Sequence, residues 1–522
     1  MKKVACDLRN VLTPTTPLGP VDQEKIDDAC ADDLIDDQLG PFREMSMSPH
    51  LLLLGRKGAG KSAALAEIRI AAARRGGGAP HASTVSRRGG QFVHVVRSWQ
   101  QFHNIVMRVR GELHDDDLFA DLIFPEVFKG MWKEALWNEI ISYFYEYAHT
   151  DDVRTELQAV VDYVNAAYIP DLSPREAAKR LSAAARQSVS GFLQQHDAQL
   201  FFLFDSMENY PVRNQIFTKT LSGLFPAISD ISNEEPRINI TFCIPEEIEP
   251  FMSAGSANLM KDFASSFRIR WRPIDLIHLV AHRLRASAKY YDPPLYDQAS
   301  ALDFSSREDL HKLFTLVLPE TITNSYGHEE NAWAYVIRHT QLLPRQVLWI
   351  FNVAFSEQYR QSRGFRQMKE DILRRAVTES QRFLATQILL PYQKLYPKLV
   401  TESRKILPDL EPICDYQSLR KTESRFHRTI EEDVVSVWDT LFEMGVLGRA
   451  TTKNGDLQVK KDGTARYCYG QFYYNADMGF GLATDSEYCF HPVFTRAFGI
   501  ARRSSDHRVI YPANIDLENI YA

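Results

Sequence analysis

The chain has 522 residues, of which 44% are hydrophobic and 25% charged, with a formal net charge of −6. That length exceeds what one hydrophobic core usually supports, and these ordinary globular proportions exclude a fibrous repeat or extensive disorder. The acidic balance excludes a general attraction for nucleic acid and leaves only a local basic face.

No apolar run reaches the roughly 18 residues of a membrane span. The start MKKVACDLRNV also lacks an apolar signal core, so the expected location is cytoplasmic with no membrane partner. Cys6, Cys30, Cys243, Cys414, Cys468 and Cys489 show no paired spacing, and they read as small buried hydrophobes rather than zinc ligands or a disulfide framework.

Residues 1–45 contain an acidic stretch, DQEKIDDACADDLIDDQ, with few core-forming positions, expected to pack as short helices or dock on a partner, with solvated surface the plainer reading. A strand is expected at His50 to Leu54, then a glycine loop and a helix from Lys61 to about Arg75. Phe92 to Ser98 reads as a second strand. The next hundred residues are mainly helical, with Trp132, Leu136, Ile140, Tyr143 and Tyr147 on one face, and a capping box at Ser173 and Glu176. Buried strands follow at Gln199 to Asp205, Ile238 to Ile244 and Phe267 to Trp271.

Strands separated by helices predict an α/β P-loop core, a parallel sheet between helices, over 46–272. Helical periodicity throughout 273–390, with a capping box at Ser305 and Glu308, predicts an all-α lid. In 391–522 a capping box at Thr429 and Glu432 opens a helix ended by Gly445. A turn at Lys453 to Asp456 and two aromatic strands follow, which together predict a winged-helix-like α+β domain.

The chemistry is carried by GRKGAGKS at Gly55 to Ser62, following LLLL and opening a helix, as a Walker A loop requires. Gly55, Gly58 and Gly60 let backbone N–H groups turn toward phosphates, Lys61 places a cation beside them, and Ser62 and Ala63 continue the cradle into the helix. The expected ligands are ATP and Mg2+, the metal held by Ser62 and by Asp205 at the end of a neighbouring buried strand. Lys61, Asp205 and Glu208 are the catalytic candidates. Ser206 stands where many P-loop ATPases carry Glu, so Glu208 is the nearest water-activating acid, and the expected ATPase is slow or completed by a partner. No GxSxG, HExxH or CxxC supplies a second centre.

Walker A after a helical lead, Walker B as LFFLFDSME, Trp271 followed by RPIDLIHLVAHRLRA, and LLPRQVLWIFN together resemble AAA+ ATPases related to the origin-recognition family. The same elements resemble bacterial P-loop ATPases of the STAND type. The resemblance implies that Arg345, after Pro344 at the start of a lid helix, senses the γ-phosphate. It implies a polar sensor on the fourth strand, for which Thr241 is the candidate. An arginine finger is implied near Arg268 and Arg270, although strand arginines on a solvated face are the plainer reading. It further implies a homo-oligomer or a partner protein, in a bacterial defence or mobile-element system.

Duplex DNA is gripped by the winged helix in origin-recognition relatives, yet residues 400–522 hold 15 Lys plus Arg against 18 Asp plus Glu. The helix expected from Thr429 to Met444 carries Glu431, Glu432, Asp433, Asp439 and Glu443 and no cation, so charge does not support nucleic acid there. Lys453, Lys460, Lys461 and Arg466 around the turn, with Arg420, Lys421, Arg425 and Arg428 upstream, are the remaining phosphate candidates, with solvated surface the plainer reading. Three readings follow: an ATP-driven switch or remodeller, an ATP-dependent DNA loader, and a non-hydrolysing scaffold.

Overall fold

The structure is a computed structural model describing residues 7–22, 26, 30, 34, 40–45, 51–75, 91–96, 99–111, 125–150, 153–165, 174–205, 222–249, 265–430, 436–451, 467–475, 481–500, 508–512, 515 and 520–521. The chain forms two compact units, one of 1–5, 41–56 and 61–269, the other of 6–40, 57–60 and 270–522.

In the first unit, β1 (Leu51–Gly55), β2 (Gln91–Val96), β3 (Gln199–Phe204), β4 (Ile238–Pro245) and β5 (Ser265–Arg268) form a sheet in the order β2-β3-β4-β1-β5. Every pairing is parallel. Parallel strands need long crossovers, supplied here by α1 (Lys61–Arg75), α2 (Trp99–Gly111), α3 (Pro125–Thr150), α4 (Gln158–Asn165), α5 (Pro174–Gln195) and α6 (Leu224–Glu234). The continuous apolar runs follow from burial on both faces; all eight residues of β4 are buried. Trp132, Leu136, Ile140 and Tyr147 of α3 are buried, and Trp132 stacks on Phe102, which meets Phe204 and Phe242 edge-on.

The topology corrects one expectation. β3, which delivers Asp205, is not the neighbour of β1, because β4 lies between them. Two strand spacings, about 10 Å, separate the Walker strands. Strand β5 also stops at Arg268, short of the expected Trp271.

The second unit contains α7 (Pro273–Tyr291), α8 (Pro293–Ser300), α9 (Arg307–Val317), the hairpin β6 (Thr321–Thr323) and β7 (Glu329–Asn331), α10 (Ala332–Ile337), α11 (Pro344–Ser362) and α12 (Glu370–Leu395). The hairpin interrupts the expected all-helical run. Its turn uses Gly327 at φ +77°, with Asn324 accepting from the backbone of Tyr326 and His328. The cap of α9 is one residue later than expected, at Ser306, while Ser305 bonds Asp303 instead.

The same unit continues through α13 (Pro397–Ile406), β8 (Ile413–Asp415), α14 (Tyr416–Thr429), α15 (Val437–Glu443), β9 (Leu447–Thr451), β10 (Tyr467–Gln471), β11 (Glu487–Phe490), α16 (Pro492–Phe498) and β12 (Val509–Pro512). Its strands form a mixed sheet, β12-β10-β9-β11-β8. Thr429 therefore ends one helix rather than capping the next. The cap of α15 is Ser436, whose side chain accepts from Asp439 N, and Gly445 at φ +69° ends that helix as expected.

The helical and sheet portions of this unit share a buried polar network. Glu330 takes two hydrogen bonds from Arg338 and one from Tyr511, and Gln341 donates to the carbonyls of Met444 and Gly445. Residues 1–45 depart from the plainer reading of solvated surface, since Leu12, Leu18, Ile26, Cys30 and Leu34 are buried, and Cys30 is disulfide-bonded rather than free. Ser173, Glu431, Glu432, the turn at 453–456, Lys460, Lys461 and Arg466 lie outside the described residues, while Glu176 falls in the first turn of α5.

Candidate nucleotide-binding site

The loop Arg56 to Gly60 leaves the carboxyl end of β1 and runs into the amino end of α1, the end of a parallel sheet where ligands bind. Gly58 and Gly60 adopt φ +89° and +94°, a backbone that L side chains resist, which turns consecutive N–H groups to one side. Lys61 is buried and curls over the loop, its Nζ donating to Gly55 O at 2.8 Å and Arg56 O at 3.2 Å. An ammonium has three donors, so this arrangement holds Lys61 over the loop with capacity to spare. Ser62 and Ala63, both half-buried, follow in the first turn of α1, whose unpaired N–H groups and dipole favour an anion.

In the first unit the β4 strand brings the Walker residues to one place. Asp205 is the first residue after β3, its N–H donating to Val96 O at 3.0 Å. One residue beyond the Phe204–Phe242 pairing, Cys243 lies on β4, where it pairs with Leu53 of β1. Burial pushes its thiol well above the ordinary range. The Asp205 carboxylate adds to that shift and the Lys61 ammonium opposes it, so all three groups share one electrostatic environment. The expected sensor Thr241 is buried deeper in β4, opposite Leu203, and Cys243 takes the place nearer the Walker residues. Glu208 lies outside the described residues.

In the second unit Arg345 sits on the tip of the loop. A Cβ built on Gly58 would fall 3.0 Å from the Cβ of Arg345, and Arg345 N–H approaches Gly58 O at 3.5 Å. Pro344 opens α11, where its missing N–H costs nothing. The guanidinium pairs with Asp22 at 2.9 Å through Nη2, while its Nε–H is buried without an acceptor among the described residues. Trp271 Nε1 donates to Ala59 O at 2.8 Å, tethering the same tip.

Arg268 does not lie on a solvated face: Glu246 and Glu249 each hold its guanidinium at 2.9 Å. Arg270 is exposed. Among the described residues no cluster of three or more His, Cys, Asp or Glu is placed to hold a metal, and no helix is long and apolar enough to cross a membrane. Ser62 and Asp205 carry oxygen atoms of the kind that could hold magnesium when most of its shell is water and phosphate.

No family model matches the chain, and no curated protein is a significant match. Among solved structures, it is similar to the Aeropyrum pernix ORC2 protein in ADPNP–ADP complexes, at 9% identity and TM-score 0.36, covering 92% of this chain and 95% of that one. It is also similar to the Aeropyrum pernix ORC1 protein in complex with DNA, at 13% identity and TM-score 0.30, covering 81% and 88%. A third is Cdc6p from Pyrobaculum aerophilum, at 11% identity and TM-score 0.29, covering 94% and 96%. These superpositions are loose, and the site rests on its own geometry.

The structure thus places Lys61 and Asp205 both within electrostatic reach of Cys243, and Arg345 against Gly58. Sequence reasoning missed Asp22 and the placement of Cys243. Asp22 lies in an acidic run with no local mark of its partner, whereas the register of β4 would have pointed to Cys243 had the strand order been known.

Proposed function

We propose that the chain is an ATP-binding, ATP-hydrolysing molecular switch. The observation that carries this reading is the Gly55 to Ser62 loop: two glycines at positive φ, a buried lysine folded over it, and a helix amino terminus behind it. Lys61 stabilises charge on the terminal phosphates, and backbone N–H groups of Gly58 and Gly60 orient them. Ser62 and Asp205 would hold Mg2+, which when bound neutralises phosphate charge.

Arg345 reads the γ-phosphate through its guanidinium, whose Nε–H finds no acceptor among the described residues. Glu208 activates water, and Ser206 after Asp205 makes turnover slow or dependent on a second copy or a partner protein. Arg268, held by two carboxylates, is a poor finger, which leaves Arg270 as the candidate a neighbouring subunit would offer.

One observation favours the DNA-clamp reading as a second possibility for the output. The exposed face of α14 carries Arg420, Lys421, Arg425, His427 and Arg428, with Arg420 paired to Glu423 and Arg425 to Asp409, a net basic stripe suited to a phosphate backbone. By contrast α15 is short, buries Val437, Trp438, Leu441 and Phe442, and offers no cation for a groove.

Steady-state hydrolysis by wild type, Lys61→Ala and Glu208→Gln, with and without duplex DNA, tests the proposal. Turnover lost in both variants supports it, and DNA stimulation selects the clamp over a protein-directed switch. Wild-type ATP binding without any turnover would reject the hydrolysing switch in favour of a structural nucleotide.

A further inference from the structure

The pairing of Arg345 with Asp22 is held by more than the two side chains. A segment near the amino terminus is strapped onto the helices of the second unit by four side-chain hydrogen bonds to its backbone. Tyr291 OH donates to Leu12 O at 2.7 Å, and Arg283, a buried guanidinium, donates to Leu18 O at 3.0 Å and Pro20 O at 3.1 Å. Asn352 donates to Gly19 O at 2.9 Å. In return Asn352 Oδ1 accepts from Leu18 N at 2.7 Å, so one amide clamps the strap in both directions. Leu12 and Leu18 are fully buried beneath it. Gly19, at φ +78°, makes the turn with Leu12 and Arg283 against the position of a Cβ.

Asp22 follows two residues after the last anchored carbonyl, so its carboxylate is delivered to a fixed place. Asn352 and Arg345 are seven residues apart on α11, two helical turns, and therefore on one face. A single helix both clamps the strap and presents the guanidinium that the strap's carboxylate occupies. That guanidinium lies against Gly58, at the tip of the phosphate-binding loop.

We propose that Asp22 is a specificity-determining residue that competes with the γ-phosphate for Arg345 and so sets the preference between ATP and ADP. This rests on the reading of Arg345 as the γ-phosphate sensor. A carboxylate and a phosphate oxygen accept the same guanidinium N–H groups, and the Nη2 donor that now faces Asp22 cannot fully serve both. ADP leaves the Asp22–Arg345 pair intact. ATP binding breaks it, and also brings the γ-phosphate toward the Asp22 carboxylate. Asp22 thus lowers ATP affinity selectively and ties the nucleotide state to the position of the strap's end.

The test is equilibrium titration of fluorescent ATP and ADP analogues, with magnesium, against the full chain as wild type, Asp22→Asn, Arg345→Ala and the double variant. Asp22→Ala serves as a check that the asparagine amide does not keep the contact. Removal of the charge is expected to tighten ATP by roughly three- to tenfold with ADP changed less than twofold, the size of effect a partly exposed ion pair exerts. In the Arg345→Ala background the Asp22 substitution is expected to have no effect.

An unchanged or weakened ATP preference in both Asp22 variants, with Arg345→Ala still lowering that preference, overturns the competition and leaves the sensor standing. An Arg345→Ala variant with the wild-type ATP preference removes the sensor itself and the competition with it.

Discussion

Gly58 and Arg345 are packed so closely that a Cβ on the glycine would sit 3.0 Å from the Cβ and 3.3 Å from the Cδ of the arginine. The loop tip and the proposed sensor therefore depend on the absence of one side chain. Gly58→Val combines backbone strain at φ +89°, about 1–3 kcal/mol, with a displaced Arg345. ATP affinity is expected to fall at least tenfold. Gly327→Ala is the control, because it also sits at positive φ, +77°, with nothing within 4 Å of its Cβ. It should lower the melting temperature slightly and leave nucleotide titrations unchanged.

Two buried histidines make stability fall with acid. Burial lowers the pKa of His94, stacked on Phe202 with the Tyr143 ring tilted against it, from 6.5 to about 4, and burial followed by Arg338 lowers His339 well below its usual value. Both depressions mean that the unfolded chain takes up the proton first. Their stabilisation is complete above pH 6.5 and is lost as pH falls toward about 4 for His94. For that residue the shift corresponds to roughly 3 kcal/mol at most. Urea midpoints measured from pH 7.5 to pH 4.5 should decline, and His94→Phe should flatten the decline.

The Glu330–Arg338 pair is a stability determinant of the second unit. Arg338 Nε and Nη2 donate to Glu330 at 2.7 and 2.9 Å, with the Glu330 side chain wholly buried and further hydrogen bonds from Asn324 and Tyr511. Removing one partner leaves a buried charge without compensation, at a cost of about 3–5 kcal/mol. Arg338→Ala should therefore unfold at much lower urea than Arg338→Ala/Glu330→Gln, which removes both charges. Equal destabilisation of the single and double variants would count against this account.

Filter binding to duplex DNA across a salt series separates the two proposed outputs. If α14 contacts phosphates, each of Lys421→Ala and Arg428→Ala should reduce the magnitude of the salt slope by about 1. Binding by wild type too weak to measure, together with intact ATP turnover, directs the switch to a protein.

The strand, glycine loop and helix of the Walker A pattern were legible from the chain, because glycines at fixed positions after an apolar run mark a turn at positive φ. The buried strands were legible too, as short apolar runs between helical stretches, and Gly445 correctly marked a helix end. Boundaries were less secure where two capping patterns overlapped. Thr429 with Glu432 satisfied the spacing, yet Phe426 is fully buried on α14, which carries that helix through Thr429, and the next helix begins behind Ser436. The β6–β7 hairpin was hidden for a similar reason, since its strands of three residues are too short to establish a period.

Local patterns could mark the residues proposed to bind phosphate, because that motif is written within eight consecutive positions. They could not determine which distant groups meet them. The insertion of β4 between β1 and β3, which sets Cys243 beside Asp205 and Lys61, is a consequence of strand order in the folded sheet. The meeting of Asp22 with Arg345, more than three hundred residues apart, depends on Arg283, Tyr291 and Asn352 holding a strap that has no periodicity of its own. Only the tertiary structure decided those contacts, since hydrogen bonds to backbone carbonyls leave no mark on the identity of the residues that supply them.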